Sequence, residues 1–238
     1  MNHLPIDCWE EISTYLPFKD KIRLRQICKY FKNIKIINFH VPDSLGHKLT
    51  NDILIRYPYI TSLTLFRSQV TNINYLTNLE LLIINSTEAI TNQGIQLPNL
   101  KRLLIRNNHS ISTLNHLTNL RVLSVHNNNA VTDDSIKCLN LKALYAIDQP
   151  LICNINHMTN LEVLDARNHC GVCDATISNI NLTHLFASSN SKITNVRHMT
   201  NLTTLMADGN CGITDDGYRG LNLKSLYSKY NDKITTSL

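Results

Sequence analysis

The sequence predicts an α/β solenoid, in which a curved parallel sheet carries short turns on its convex side and follows a small α-helical segment. Two observations predict this fold. From residue 60 onward, nine copies of one apolar pattern follow each other at intervals of about 20 residues. Before them, residues 4–31 form two amphipathic stretches separated by Pro17. Such intervals are typical of repeat proteins, whose stacked units bury one continuous core.

The nine copies share the pattern Leu-x-x-Leu-x-(Leu/Ile/Val/Ala)-x-x-(Asn or polar), which is that of a leucine-rich repeat. They begin at Ile60, Leu79, Leu100, Leu120, Leu141, Leu161, Leu182, Leu202 and Leu223. After the first interval, longer and shorter copies alternate strictly, so the larger unit is a pair of coils. The three apolar positions should point inward from a short strand and its turn. A coil of this length leaves room only for turns or single-turn helices on the convex side.

Two positions of the pattern predict local structure. The ninth position is held by Asn108, Asn128, Asn190, Asn210 and Asn231, and by Ser68, Thr87, Gln149 and His169 in the other copies. An asparagine there offers donors and acceptors to the backbone where the chain turns, so the other four copies should be held less tightly. The sixth position changes from Leu, Ile or Val to Ala or Ser at residue 146, which predicts closer packing from the fifth copy onward.

The chain divides into three parts. Residues 1–40 form the helical segment, residues 41–59 a linker with a capping helix, and residues 60–238 a solenoid of about nine coils. Residues 34–39 read as a degenerate first strand, and Thr50 is expected to cap the short helix. In the helical segment, Pro5 should open the first helix and Asp20 should cap the second. About 40 residues alone rarely form a stable domain, so this segment needs the solenoid or a partner.

Residues 4–31 resemble the F-box family without gaps. The family pattern is Leu-Pro, a hydrophobic helix ending in Leu, an acidic residue, then Val-Cys-(Lys/Arg)-x-Trp. The matching positions are Leu4, Pro5, Ile12, Leu16, Asp20, Ile22, Ile27, Cys28 and Lys29. Phe31 stands where the family usually has Trp, and Cys8, Trp9 and Ser13 also depart from commoner residues. An F-box directly before leucine-rich repeats is the order of a known F-box subfamily, so the resemblance covers nearly the whole chain.

This resemblance implies the substrate-recognition subunit of an SCF-type (cullin) E3 ubiquitin ligase. The F-box segment would bind a Skp1-like adaptor, and through it a cullin, by Leu4, Pro5, Ile12, Leu16, Ile22, Ile27, Cys28 and Phe31. One alternative is a repeat-mediated protein-binding scaffold unrelated to ubiquitin, similar to bacterial surface or effector repeats. Another is a competitor that binds the adaptor without delivering a substrate. The Asn-rich repeats also resemble those of F-box proteins from giant DNA viruses.

A protein substrate is expected on the concave face. There the strand residues between the apolar positions point outward, and large apolar, aromatic and charged side chains recur among them. Exposed apolar patches flanked by charge commonly mark partner surfaces. The predicted contact residues are Ile83, Leu104, Arg106, His126, Tyr145, Asp165, Arg167, Phe186, Met206 and Tyr227.

Other functions have little support in the sequence. A net charge of +5 without a dense basic run does not indicate a nucleic-acid site. Seven cysteines without a secretory signal suggest reduced thiols, hence a cytoplasmic or nuclear protein, in the host cell if viral. Cys170-Gly-Val-Cys173 is only half a zinc site. The three histidines that recur two coils apart lie too far from each other to share a metal. Asp133-Asp134 and Asp215-Asp216 lie in the repeat turn, where aspartate is expected to cap the next segment. We expect no catalytic residue, cofactor, metal or membrane contact.

Overall fold

The computed structural model describes residues 5–27 and 35–235. Two helices, α1 (Ile6–Thr14) and α2 (Phe18–Ile27), precede a sheet. Pro5 occupies the N-cap position of α1, one residue before its expected place. Helix α2 begins earlier than predicted, so Asp20 lies in its first turn and pairs with Arg23 at 3.3 Å instead of capping it.

The described residues contain ten strands in one parallel sheet, ordered as in the sequence. They are β1 (Asn38–His40), β2 (Ser62–Phe66), β3 (Leu81–Asn85), β4 (Arg102–Arg106), β5 (Val122–His126), β6 (Ala143–Tyr145), β7 (Val163–Asp165), β8 (His184–Phe186), β9 (Thr204–Met206) and β10 (Ser225–Tyr227). Strands β2 to β10 each begin at the third position of a predicted copy, which confirms the repeat. The predicted degenerate strand is β1, and it pairs with β2.

The convex side carries only short elements. Short helices are α3 (Asn51–Leu54), α4 (Asp133–Ile136), α5 (Asp174–Ile177) and α6 (Asp215–Tyr218), and 3₁₀ helices cover Asp43–Lys48 and Asn92–Gly94. Thr50 precedes α3 but makes no side-chain capping hydrogen bond. Helices α4 to α6 recur on every second coil, which confirms the two-coil unit. No helix among the described residues is long and apolar enough to cross a membrane.

The core is one continuous column of inward-pointing side chains. In β2 to β5 buried residues alternate with partly or fully exposed ones, as expected for strands with one covered face. Strands β2 to β5 are longer than β6 to β10. The shortening coincides with the change to Ala146 at the sixth position, where smaller inward side chains begin.

The turn after each strand has a repeated backbone conformation. A residue with positive φ follows each of the nine repeat strands, at Arg67, Ser86, Asn107, Asn127, Asp148, Asn168, Ser189, Gly209 and Tyr230. The next position is the asparagine slot. Asn108, Asn128, Asn190 and Asn231 are buried there, and Asn190 Nδ2 donates to two backbone carbonyls, those of Ala166 at 2.8 Å and Val172 at 3.3 Å.

The same slot differs in the copies that lack a buried asparagine. The Oγ of Ser68 is buried without a hydrogen-bond partner among the described residues, in keeping with the predicted looser turn. Asn210 and His169 are exposed, and the following residues, Cys211 and Cys170, are buried instead. The expectation for Asn210 was therefore wrong, because the small thiol of the next residue occupies the interior there.

A second ladder of hydrogen bonds joins neighbouring coils at every other junction. Asn51, Asn92, Asp133, Asp174 and Asp215 recur once in each unit, and each accepts hydrogen bonds from backbone N–H groups of the following coil. Asp133 Oδ1, for example, accepts from Cys153 N at 2.7 Å and Asn154 N at 2.9 Å. The predicted capping role of the two aspartate pairs is wrong, because Thr132 and Thr214 hold the N-cap positions of α4 and α6. Asp133 and Asp215 lie in the first turns of these helices and join neighbouring coils instead.

Candidate functional site

The helical segment exposes several of its apolar side chains. Ile12 is 39 % exposed, Tyr15 81 % and Ile27 68 %, and Pro5 is also exposed. Leu16 is half-buried. Exposed apolar groups concentrated on a short segment are a common sign of a partner surface. Of the predicted adaptor contacts, Leu4, Cys28 and Phe31 lie outside the described residues.

The opposite side of the helical segment packs on the solenoid. Ile22 is partly buried against the core of the repeats, so this predicted adaptor contact holds the segment in place. Lys21 beside it is buried, and burial lowers the pKa of its ammonium group.

Polar and aromatic contacts add to this packing. The Arg25 guanidinium lies 5.1 Å from the centre of the Tyr57 ring. Glu10 accepts a hydrogen bond from Lys35 N at 3.1 Å and faces its Nζ at 3.9 Å. The solenoid therefore supplies the second face that the helices need, and the exposed side chains remain available.

The concave face presents two outward rows of side chains across the strands. The central row passes through Ile83, Leu104, Ser124, Tyr145, Asp165, Phe186, Met206 and Tyr227, and consecutive members are paired in register. The neighbouring row contains Asn85, Arg106 and His126, which are also in register. Most of these side chains are partly exposed, as predicted, and Arg106 and Tyr227 are fully in the exposed class.

A cavity of about 420 Å³ opens on the concave face over β3 to β5. It brings together four predicted contacts, namely Ile83, Leu104, Arg106 and His126. The lining also includes Asn85, Ser124 and Ile147, which were not among the predicted contacts. Their position in the repeat was the available signal, because Asn85 and Ile147 occupy the same position as Arg106, and Ser124 the same position as Leu104. A volume of this size is within the range of ligand pockets.

Asp165 differs from its neighbours in the central row. Its side chain is only 3 % exposed, and Arg167 donates to both carboxylate oxygens, from Nε at 2.8 Å and from Nη2 at 2.7 Å. These hydrogen bonds raise the pKa of the Arg167 guanidinium. The burial of Asp165 does not support the prediction that it contacts a partner. Its carboxylate already pairs with Arg167, while its neighbours in the central row are Tyr145 and Phe186.

The histidines that recur on every second coil have a structural role. Nε2 of His116, His157 and His198 lies 3.1, 3.3 and 3.0 Å from the carbonyl oxygens of Ile95, Ile136 and Ile177, respectively. Each imidazole thus joins one coil to the preceding one.

The cysteines of the Cys-Gly-Val-Cys segment do not form a ligand cluster. Cys170 is fully buried, and this burial raises the pKa of its thiol to about 11. Burial is also the main reason that the pKa of Cys153 is raised. Cys173 precedes α5 at the N-cap position. Among the described residues, no group of three His, Cys, Asp or Glu side chains is placed to hold a metal ion.

Comparison with known proteins agrees with this division of the chain. Residues 1–41 match the F-box domain family, and the curated proteins contain no match. The fold is similar to the crystal structure of internalin C2 from Listeria monocytogenes, with 20 % identity, a TM-score of 0.56 and 91 % coverage of each chain. It is also similar to an internalin (inlF) from the same species, with 17 % identity, a TM-score of 0.53, and coverage of 88 % of this chain and 74 % of that one. These likenesses establish the fold of the repeats. The chain is therefore an F-box domain followed by a leucine-rich-repeat solenoid.

Proposed function

We propose that this chain is the substrate-recognition subunit of an SCF-type (cullin) E3 ubiquitin ligase. An F-box domain joined to leucine-rich repeats supports a protein-binding role. The F-box helices bind a Skp1-like adaptor, which connects them to a cullin, and the concave face binds the target protein. Ubiquitin transfer takes place on other subunits, so this chain needs no catalytic residue.

The observation that carries the proposal is the separation of two exposed surfaces. Ile12, Tyr15 and Ile27 are exposed on the helices, while Ile22 holds these helices against the solenoid. The concave cavity lies on a different element, over β3 to β5. A receptor that bridges an adaptor and a substrate requires two surfaces that can be occupied at once.

Apolar packing is the expected basis of adaptor binding. Fully burying an exposed isoleucine side chain contributes about 1.5 to 3 kcal/mol. The predicted adaptor contacts Ile12 and Ile27 are 39 % and 68 % exposed, so each can supply a part of this free energy. Placing a carboxylate in such an interface leaves a desolvated charge without a partner, which is more costly than loss of the methyl groups.

The test is assembly of the purified full chain with a Skp1-like adaptor and a cullin, followed by size-exclusion chromatography. The wild type should co-elute with both proteins, and Ile12→Asp with Ile27→Asp should elute alone. Ile55→Asp is a matched control, because Ile55 is 62 % exposed at the end of α3, outside the two F-box helices. It should co-elute like the wild type.

Two outcomes would contradict the proposal. If the folded wild type does not bind the adaptor, the repeats would act as a scaffold unrelated to ubiquitin. If adaptor binding is unaffected by the double variant, another surface would have to carry the interaction. Resemblance to viral repeat proteins, a cytoplasmic or nuclear location and delivery of a substrate remain predictions.

A further inference from the structure

The cavity on the concave face combines an apolar floor with unpaired positive charge. Ile83 and Leu104 form adjacent members of the central row, and Asn85, Arg106 and His126 follow one another in the next row. Neighbouring strands are about 4.8 Å apart, so these two rows run side by side across the cavity. No residue of β2 to β5 is an aspartate or a glutamate. The electrostatics of the cavity therefore favour an anionic group.

Arg106 is the exposed cation of this cavity. Within the described ranges, 5–27 and 35–235, its guanidinium forms no ion pair with a carboxylate. A guanidinium presents a planar fork of donors that fits a carboxylate by two parallel hydrogen bonds. The side chain is therefore free to receive an acidic group from another molecule.

The same molecule contains an internal example of that pairing. Arg167 lies in the same row as Arg106, three coils further on, and its partner is Asp165, two positions before it in the chain. The residue two before Arg106 is Leu104. The repeat thus provides one arginine with an internal carboxylate and leaves the equivalent arginine without one.

We propose that this cavity binds a linear acidic segment of a protein, in which an Asp or Glu side chain pairs with Arg106. A neighbouring large apolar side chain of the segment lies against Ile83 and Leu104. The proposal rests on the function proposed above and specifies the chemistry of its substrate. The volume of about 420 Å³ accommodates one such side chain together with the carboxylate, and Ile147 lines the end of the cavity towards β6.

The probe is an array of short synthetic peptides that are acetylated at the N-terminus and amidated at the C-terminus. Each peptide places Asp or Glu next to, or two positions from, Leu, Ile, Phe or Tyr, and each has a counterpart with Asn or Gln. Binding of the labelled full chain, without any adaptor, is measured first on the array and then by fluorescence polarisation. The affinity for acidic peptides should be at least about tenfold higher than for their amide counterparts, because the bidentate pair needs a carboxylate.

Arginine variants locate the charge. Arg106→Gln should remove the preference for acidic peptides, a loss of about tenfold or more in their affinity. Arg102→Gln is the matched control, since Arg102 is exposed on the same strand but does not line the cavity. It should change the affinity by less than about twofold, as expected for a charge outside the contact.

A third variant fills the site from within. Leu104→Asp places a carboxylate two positions before Arg106. This reproduces the arrangement of Asp165 and Arg167 in the later coil. It should also remove the acidic preference, while Leu104→Asn should leave part of it. Thermal unfolding of each variant identifies any that fails to fold, and Arg106→Gln, on an exposed side chain, provides the test independently of that result.

Several results would overturn the proposal. They are equal binding of acidic and amide peptides, equal effects of the two arginine variants, or no peptide binding at all by the folded chain. Because the adaptor is absent, these readouts are independent of the F-box helices. Adaptor binding without acidic preference would reject only this inference, whereas acidic preference without adaptor binding would reject only the ligase function.

Discussion

Asn108 provides the sharpest test of how the repeats are held together, because a matched residue in the same pattern position is exposed. Asn108 is 0 % exposed. Its Nδ2 donates to the carbonyl oxygens of Thr87 at 2.5 Å and Ile90 at 3.3 Å, and its Oδ1 accepts from Ser110 N at 3.0 Å and Ile111 N at 2.9 Å. The substitution Asn108→Ala removes all four hydrogen bonds.

The magnitude follows from this geometry. A net contribution of about 1 kcal/mol for each hydrogen bond gives about 4 kcal/mol, reduced to about 3 kcal/mol because the bond to Ile90 is long and Ser110 can reach water. Asn210→Ala, at the same position of another copy, should cost less than about 0.5 kcal/mol, because its side chain is exposed. The pattern alone would assign both residues the same cost.

Urea unfolding followed by circular dichroism gives the free energy of unfolding of each variant. Repeat proteins can unfold in parts, so hydrogen exchange of the Ile111 amide provides a local measurement, and this amide should exchange faster in Asn108→Ala. Equal losses of stability in the two variants, or unchanged exchange at Ile111, would show that the buried asparagine does not hold the turn.

Three further predictions concern stability and thiol reactivity. Gly217→Ala would place a Cβ 2.2 Å from a carbonyl oxygen of the neighbouring coil, so it should cost about 2 kcal/mol and lower the Tm by about 6 °C in a thermal scan. Arg167→Gln removes the cation that pairs with the buried Asp165 carboxylate. It should cost about 3 kcal/mol in urea unfolding, more than replacing both residues by Leu. The opposite order would show that the pair is not buried in solution. The raised pKa of Cys170 reduces its thiolate fraction at pH 8, so mass spectrometry should find iodoacetamide on the exposed Cys138 first, and early labelling of Cys170 would contradict its burial.

Much of the fold is predictable because one constraint repeats. The leucine spacing predicts the place of every strand from β2 to β10, since each copy must bury the same three apolar positions. The alternation of longer and shorter copies predicts the two-coil unit, which the ladder from Asn51 to Asp215 then makes visible. The strand β1 was predicted from Ile and Phe residues in a degenerate copy.

The candidate site is less predictable, because it depends on side-chain partners that the repeat does not fix. Asp165 matches the outward pattern but is buried by its pairing with Arg167, two positions away, which a face assignment does not reveal. Ile22 matches an F-box position, yet it packs on the solenoid because the two-helix segment lacks a core of its own. His169 and Asn210 leave the asparagine slot because a cysteine follows each of them and fits the interior better.

Calorimetric titration of the full chain with a Skp1-like adaptor at several temperatures tests adaptor binding by the F-box helices most directly. We expect binding with a negative heat-capacity change, because the exposed side chains of Ile12 and Ile27 leave water on binding. The double variant Ile12→Asp with Ile27→Asp should abolish the heat signal, while Ile55→Asp should reproduce the wild type. Absence of binding by the folded wild type, or undiminished binding by the double variant, would contradict adaptor binding through these helices.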